Sequence, residues 1–261
     1  MSRAAPFGFA EGLRWVAGGF QLVWRRPLLW LSLTGLLFAV ALLAAMLPAV
    51  GNLLLYTLSP AILGTLLLVC QQLAGEGQPE AAALSERVRA SAPALLGLGV
   101  AYTGIQVGLL FLLATASPEV MQGLTSGKTL PATPGPAADA LPLLLLVLAL
   151  SVPATMLMWF SPGLIVFRGM RVWPAMRYSL AACLFHWRAC LVNGIAAFAL
   201  LLLASLPAML GLLVWVPLMI GTLYSAYAAI FGDPGQREPV AAGRPPAEPP
   251  GADAGRDDRL S

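Results

Sequence analysis

Six apolar runs divide the chain, at residues 28–50, 53–73, 93–115, 141–167, 189–210 and 212–231, with charged, proline-rich or glycine-rich stretches between them. Each reaches the roughly 20 residues that carry a helix across about 30 Å of hydrocarbon at about 1.5 Å per residue. The predicted fold is all-α, a polytopic transmembrane bundle of six spans. Short connections after the first and fifth runs, at Pro48 to Asn52 and around Gly211, predict two tight hairpins.

Before the first run the pattern changes to spacings of three and four. Glu11, Arg14, Gly18, Gln21 and Arg25 form a polar stripe, and Leu13, Val16, Phe20, Val23 and Trp24 cover the opposing side. This predicts a helix in the membrane plane, with Trp15, Trp24 and Trp30 at the depth that indoles prefer. A second such helix follows Pro174, a residue suited to a first turn. Met176, Leu180, Cys183, Leu184 and Trp187 are its apolar stripe, and Arg177 and Arg188 lie on one flank within reach of lipid phosphates.

The organisation repeats weakly. Basic, partly helical segments precede the first, third and fifth spans: "LRWVAGGFQLVWRRP", "PEAAALSERVRASAP" and "WPAMRYSLAACLFHWRA". The second, fourth and sixth spans carry prolines in similar company, Pro60 in "LSPAILGT", Pro162 in "FSPGLIVF" and Pro217 in "WVPLMIGT". These predict three units, each an interfacial helix followed by a transmembrane hairpin kinked at its proline. Each proline frees a carbonyl one turn back, to be met by a neighbour, by water or by a hydroxyl such as Ser59 or Ser161. The chain thus reads as an N-terminal segment (1–27), a six-span domain (28–231) with an outer loop at 117–139, and a Pro- and Gly-rich tail (232–261) too polar to fold alone.

Composition agrees: 59% of residues are hydrophobic and 10% charged, against about 25% charged in a soluble domain. The N-terminus lacks the short apolar core and cleavage site of a secretory signal, so the first span is expected to stay. Charge gives the orientation. With both termini cytoplasmic, fourteen of the fifteen basic residues lie inside, including Arg14, Arg25, Arg26, Arg87, Arg168, Arg171, Arg177 and Arg188; Lys128 alone lies outside. The arginines, with Trp24 and Trp187, are expected to meet the bilayer and its anionic headgroups. The net charge of +3 follows from this topology and is no nucleic-acid footprint.

Candidate chemistry is sparse. Cys183, His186 and Cys190 have metal-like spacing, but on a continuous helix the two cysteines stand about 10.5 Å apart, too far for thiolates that each bind one zinc at about 2.3 Å; a site would need the helix to break near Ala189 and Cys70 to be recruited from the second span. No metal and no cofactor are expected. His186 has no carboxylate beside it in sequence, no Asp or Glu falls in a span, and no H-E-x-x-H, G-x-S-x-G or phosphate-binding glycine loop occurs. These gaps point away from an enzyme and from an ion-coupled carrier. Gly97, Ala101, Gly104 and Gly108 form a small-residue stripe suited to close packing, inside the bundle or between copies in a homo-oligomer.

The stretches "GLRWVAGGFQLVWRRPLLW", "MLMWFSPGLIVF" and "WPAMRYSLAACLFHWRACLVNG" resemble a family of uncharacterised bacterial integral membrane proteins. More loosely, they are similar to the multi-span domain attached to some glycerophosphodiester phosphodiesterases. The resemblance runs to about Phe231 and implies an inner-membrane location; no catalytic residue carries over. The leading expectation is a non-enzymatic structural, assembly or envelope-homeostasis protein. The alternative is a carrier or flippase for a neutral or amphiphilic substrate, whose sign would be a cavity lined by Asn52, Thr103, Gln106 and Asn193. A membrane-embedded enzyme using His186 and the cysteines comes last.

Overall fold

A computed structural model describes residues 7–75, 81–116, 134–206 and 210–232. The described residues form helices α1 (Phe9–Arg25), α2 (Pro27–Ala45), α3 (Pro48–Ala74), α4 (Ala81–Ala116), α5 (Pro134–Trp159), α6 (Ser161–Arg168), α7 (Val172–Phe185), α8 (Trp187–Ser205) and α9 (Leu212–Phe231). Among them lie six spans long and apolar enough to cross a bilayer, α5 and α6 together counting as one. The protein is an all-α, six-span membrane bundle.

Packing is concentrated at one end. The second halves of α3 and α9, with α6, supply the most deeply buried side chains, among them Leu67, Leu68, Cys70, Phe160, Leu164, Tyr227 and Ala226. Three arginines close that end by donating to the carbonyls that each helix leaves unpaired in its last turn. Arg25 reaches Leu73 O at 3.0 Å, Arg87 reaches Val166 O at 3.4 Å, and Arg168 reaches Phe231 O at 2.6 Å. Towards the other end burial falls away, and Leu42, Leu43, Met46, Leu202, Leu203 and Leu206 are exposed. Apolar surface of this extent belongs in hydrocarbon.

The helices are arranged cyclically. The leading helix of each unit lies on the second span of the unit before it: α1 on α9, the start of α4 on α3, and α7 on α5 and α6. Glycine lets α1 dock on both helices of the third unit's hairpin: a Cβ at Gly19 would stand 2.5 Å from Thr222 N of α9, and one at Gly12 2.5 Å from Ala189 O of α8. Helix α1 therefore buries Gly12, Trp15, Gly19, Leu22 and Val23. Of the three tryptophans expected near the interface, Trp15 and Trp30 turn into the core at 3% and 1% exposure, while Trp24 stands 65% exposed.

Other boundaries shift for identifiable reasons. The first hairpin turns at Met46 and Leu47, ahead of the expected Pro48 to Asn52, because Pro48 opens α3, a position where its missing N–H costs nothing. The expected interfacial helix of the second unit and the third span are one continuous helix, α4, with Pro93 inside it. Helix α5 begins at Pro134, within the expected loop; residues 117–133 of that loop, residues 1–6, and 233–261 of the expected tail lie outside the described residues.

The expected span at 141–167 breaks at Phe160 instead of kinking. Phe160 N–H donates to Ser179 Oγ at 2.9 Å, and that hydroxyl donates to Met156 O at 2.6 Å. Ser179 of α7 is thereby inserted into one rung of the helical ladder, a recognised cause of a sharp bend. Around Pro162, Ser161 Oγ donates to Leu157 O. Pro60 and Pro217 lie inside continuous helices, buried. At Pro60 the freed carbonyl of Tyr56 takes the Ser59 hydroxyl at 2.8 Å, as expected from the sequence.

Candidate functional site

The third unit departs from the cyclic packing. In the second unit α4 closes on α3: Gly99 lies against the Thr57 carbonyl, and the Thr57 and Thr103 hydroxyls are 3.1 Å apart. In the first, α2 leaves a narrow groove of about 190 Å³ against α9. In the third, α8 stands off α5 and leaves a cleft of about 600 Å³. Its walls are apolar apart from Ser151, Thr155, Cys183 and Cys190, with Trp159 and Trp187 among the lining residues.

Two further cavities adjoin the same face of α5. One of about 420 Å³ between α3, α4 and α5 is lined by Asn52, Tyr56, Thr103, Gln106 and Ser151. Another, about 250 Å³, lies inside the bundle, lined by Tyr102, Thr155, Trp159, Asn193, Trp215 and Thr222 among others. Ser151, Thr155 and Trp159 recur at every fourth position, so one stripe of α5 borders all three spaces. Three of the four polar residues expected to share a cavity, Asn52, Thr103 and Gln106, do so; Asn193 lines the inner chamber. Thr155 Oγ1 donates back to Ser151 O at 2.9 Å. Asn193 and Thr222 are 3% and 1% exposed, and Asn193 Oδ1 and Thr222 Oγ1 have no protein partner among the described residues.

The cysteine and histidine cluster is rearranged by a second helix break. The helix through this stretch ends at Phe185 and α8 starts at Trp187, a break at His186, three residues before Ala189, where a metal site was expected to need one. Cys183 Sγ donates to Met156 O at 3.8 Å, and the neighbouring Cys190 thiol, followed by burial, pushes the Cys183 thiol well above its ordinary value. His186 faces away from them. Its Nδ1 accepts the Phe7 N–H at 3.1 Å, and the Phe7 ring stacks at 4.7 Å between centroids. Among the described residues no three of His, Cys, Asp or Glu gather as a metal-holding group.

Burial lowers the His186 pKa from the ordinary imidazole value of about 6.5, in keeping with a neutral ring that accepts at Nδ1. Protonation destroys that acceptor. The stabilisation is complete above about pH 6.5 and is lost as pH falls through the lower folded value. A thermal midpoint that is level from pH 8 to 7 and drops below pH 6.5, with the drop reduced in His186→Gln, is the expected result; a midpoint rising on acidification contradicts this assignment.

The remaining candidate residues are distributed around the packed end. Arg168 also lies over the Phe231 ring at 5.3 Å. Arg188 lies 5.5 Å from Trp187 and 5.9 Å from Phe9, Arg14 pairs with Glu11, and Arg26, Arg171 and Arg177 are exposed. In the small-residue stripe, Ala101 packs against the core, Gly97 sits near Val172 of α7, and Gly104 and Gly108 face open space. The close helix contact instead uses Gly99, whose added Cβ would run into the Thr57 backbone. Sequence reasoning also missed Ser151 and Ser179; the Ser151, Thr155, Trp159 spacing was the available signal for the first. Comparison with known protein families, with curated proteins and with solved structures finds no match to this chain.

Proposed function

We propose that this chain is a non-enzymatic multi-pass protein of the bacterial inner membrane, with both termini cytoplasmic, that holds or moves a lipid-like amphiphile within the bilayer. The observation that carries the reading is the opening between α5 and α8, about 600 Å³ and almost wholly apolar, with a second cavity of about 250 Å³ bordering the same stripe of α5 at Thr155 and Trp159. Pockets of about 300–1,000 Å³ with few polar groups are typical of small-ligand sites. The one-sided arginines support the orientation, and the resemblance to bacterial integral membrane proteins supports the location. Exposed Arg171, Arg177 and Arg188 at the packed end suit contact with anionic headgroups.

A structural or assembly role is the second reading. It is favoured by the firmly closed end, where Arg25, Arg87 and Arg168 tie three helix ends together and α1 presents exposed Phe20 and Trp24. Native mass spectra of the protein released from nanodiscs separate the two. A discrete amphiphile surviving delipidating washes supports the first reading. A bare chain, or only a broad and readily washed lipid distribution, overturns it in favour of the second.

A further inference from the structure

We infer that the cavity between α3, α4 and α5 is a binding site for an uncharged amphiphile with a hydroxylated head, held by Gln106 and Tyr56. The site is separate from the opening between α5 and α8. It deepens the amphiphile reading above, on which its ligand class rests, by placing a polar head in the half of the bilayer away from the packed end. Asn52 and Tyr56 lie about 6 and 12 Å along α3 from its start at Pro48, and Gln106 lies about 15 Å from the end of α4 at Ala116, at about 1.5 Å per residue. The Thr57 and Thr103 hydroxyls, 3.1 Å apart, close the cavity at its base.

The polar groups open on this space. Asn52 and Tyr56 are exposed, Gln106 is half-buried, and all three line the cavity. Gln106 Nε2 donates to the Tyr102 hydroxyl at 3.2 Å, which orients the amide. Its Oε1 has no hydrogen bond among the described residues and, unlike Asn193 Oδ1, is not sealed within the bundle. The Tyr56 hydroxyl, on a residue 51% exposed, has none among them either. Polar groups at this depth are costly against hydrocarbon unless a partner meets them. A carbonyl acceptor and a phenol lining one cavity call for a partner that both donates and accepts, as a hydroxyl does. Among the described residues no Asp, Glu, Lys, Arg or His lines the cavity, so a charged head would enter without a counter-charge. Leu53, Val107, Leu110 and Val147 give an apolar wall for the chain that follows the head. The volume of about 420 Å³ falls within the range of about 300–1,000 Å³ usual for small-ligand sites. A monoacylglycerol has this form.

The test reads binding at the cavity itself. Leu110, a lining residue 50% exposed, is replaced by p-benzoylphenylalanine in the full-length protein in phosphatidylcholine nanodiscs, and photocrosslinking to radiolabelled 1-oleoylglycerol is followed with concentration. Saturable labelling is expected, with methyl oleate, which has the same chain and no hydroxyl, at least about tenfold weaker as a competitor. Gln106→Leu raises the half-saturating concentration roughly tenfold and Tyr56→Phe about three- to tenfold, the value of one hydrogen bond each. Gly194→Leu, in the opening between α5 and α8, leaves it unchanged. Thermal midpoints check that each variant keeps the fold. Methyl oleate competing equally, or half-saturation indifferent to both Gln106→Leu and Tyr56→Phe, overturns the site. Labelling that does not saturate, as when water or bulk phosphatidylcholine fills the cavity, overturns it too. In each of these cases a discrete amphiphile retained in the native mass spectra leaves the reading above standing, whereas a bare chain overturns that reading as well.

Discussion

Gly19→Leu is expected to unseat α1 from α9 and to lower stability by about 3 kcal/mol or more, the upper end of the range for overpacking. The cause is backbone proximity. A Cβ at Gly19 would meet Thr222 N and Oγ1 at 2.5 Å and Leu218 O at 2.9 Å, and helix backbone cannot step aside as a flexible side chain can. Trp15, Leu22 and Val23, buried on the same face of α1, lose their cover when the helix lifts. Gly35→Leu is the matched control, because nothing lies within 4 Å of its added carbon. A thermal midpoint several degrees lower for Gly19→Leu, with Gly35→Leu unchanged, is the expected result. Equal midpoints would show that α1 is not held at this contact.

The second large effect belongs to Ser179. A valine there removes both hydrogen bonds of the hydroxyl, the one accepted from Phe160 N–H and the one donated to Met156 O, and Ser179→Thr, with the shape of valine and the hydroxyl kept, controls for the added methyl group. Each buried group left unpaired costs about 1–3 kcal/mol, and Ser179 is fully buried. Ser179→Val should therefore destabilise by at least about 2 kcal/mol, while Ser179→Thr restores most of the loss by keeping the hydroxyl. Because the serine holds the break between α5 and α6, the valine variant should also let the segment straighten towards a regular helix. Ser179→Val with undiminished stability would mean that the break is maintained by other groups.

The membrane character of the chain was legible because hydrocarbon demands it: long apolar runs and one-sided arginines report on bilayer thickness and charge, and need no knowledge of packing. Which apolar side chains face one another was not legible. Lipid tails and helix neighbours are equally apolar, so Trp15 and Trp24 look alike in sequence although one is core and the other exposed. Helix contacts in such a bundle depend more on small residues. Gly12 and Gly19, which weigh little in an amphipathic pattern, decide how α1 docks, and Gly99 decides how α4 meets α3.

The candidate site was half legible for the same reason. Asn52, Thr103 and Gln106 were recognisable as polar residues in spans, and they share a cavity. The cleft was not, since it arises from the separation of two helices and is walled by side chains that would suit a packed interface equally well. Its metal-like spacing of cysteines and histidine was misleading: the break at His186 brings Cys183 and Cys190 together, while the ring itself turns to Phe7.

The most direct test of the central claim, a bundle closed between α3 and α4 and open between α5 and α8, is a pair of spin-label distances in phosphatidylcholine nanodiscs, on a background with Cys70, Cys183 and Cys190 replaced. One pair sits at Leu58 and Val100, exposed residues beside the Thr57 and Gly99 contact, and the other at Val152 and Ile195, across the cleft. The account predicts a distance distribution for the second pair that is longer and broader, and that narrows when 1-oleoylglycerol is added. Two equally short, narrow distributions that ignore the amphiphile would contradict it, because α8 would then lie against α5 with no room for a ligand between them.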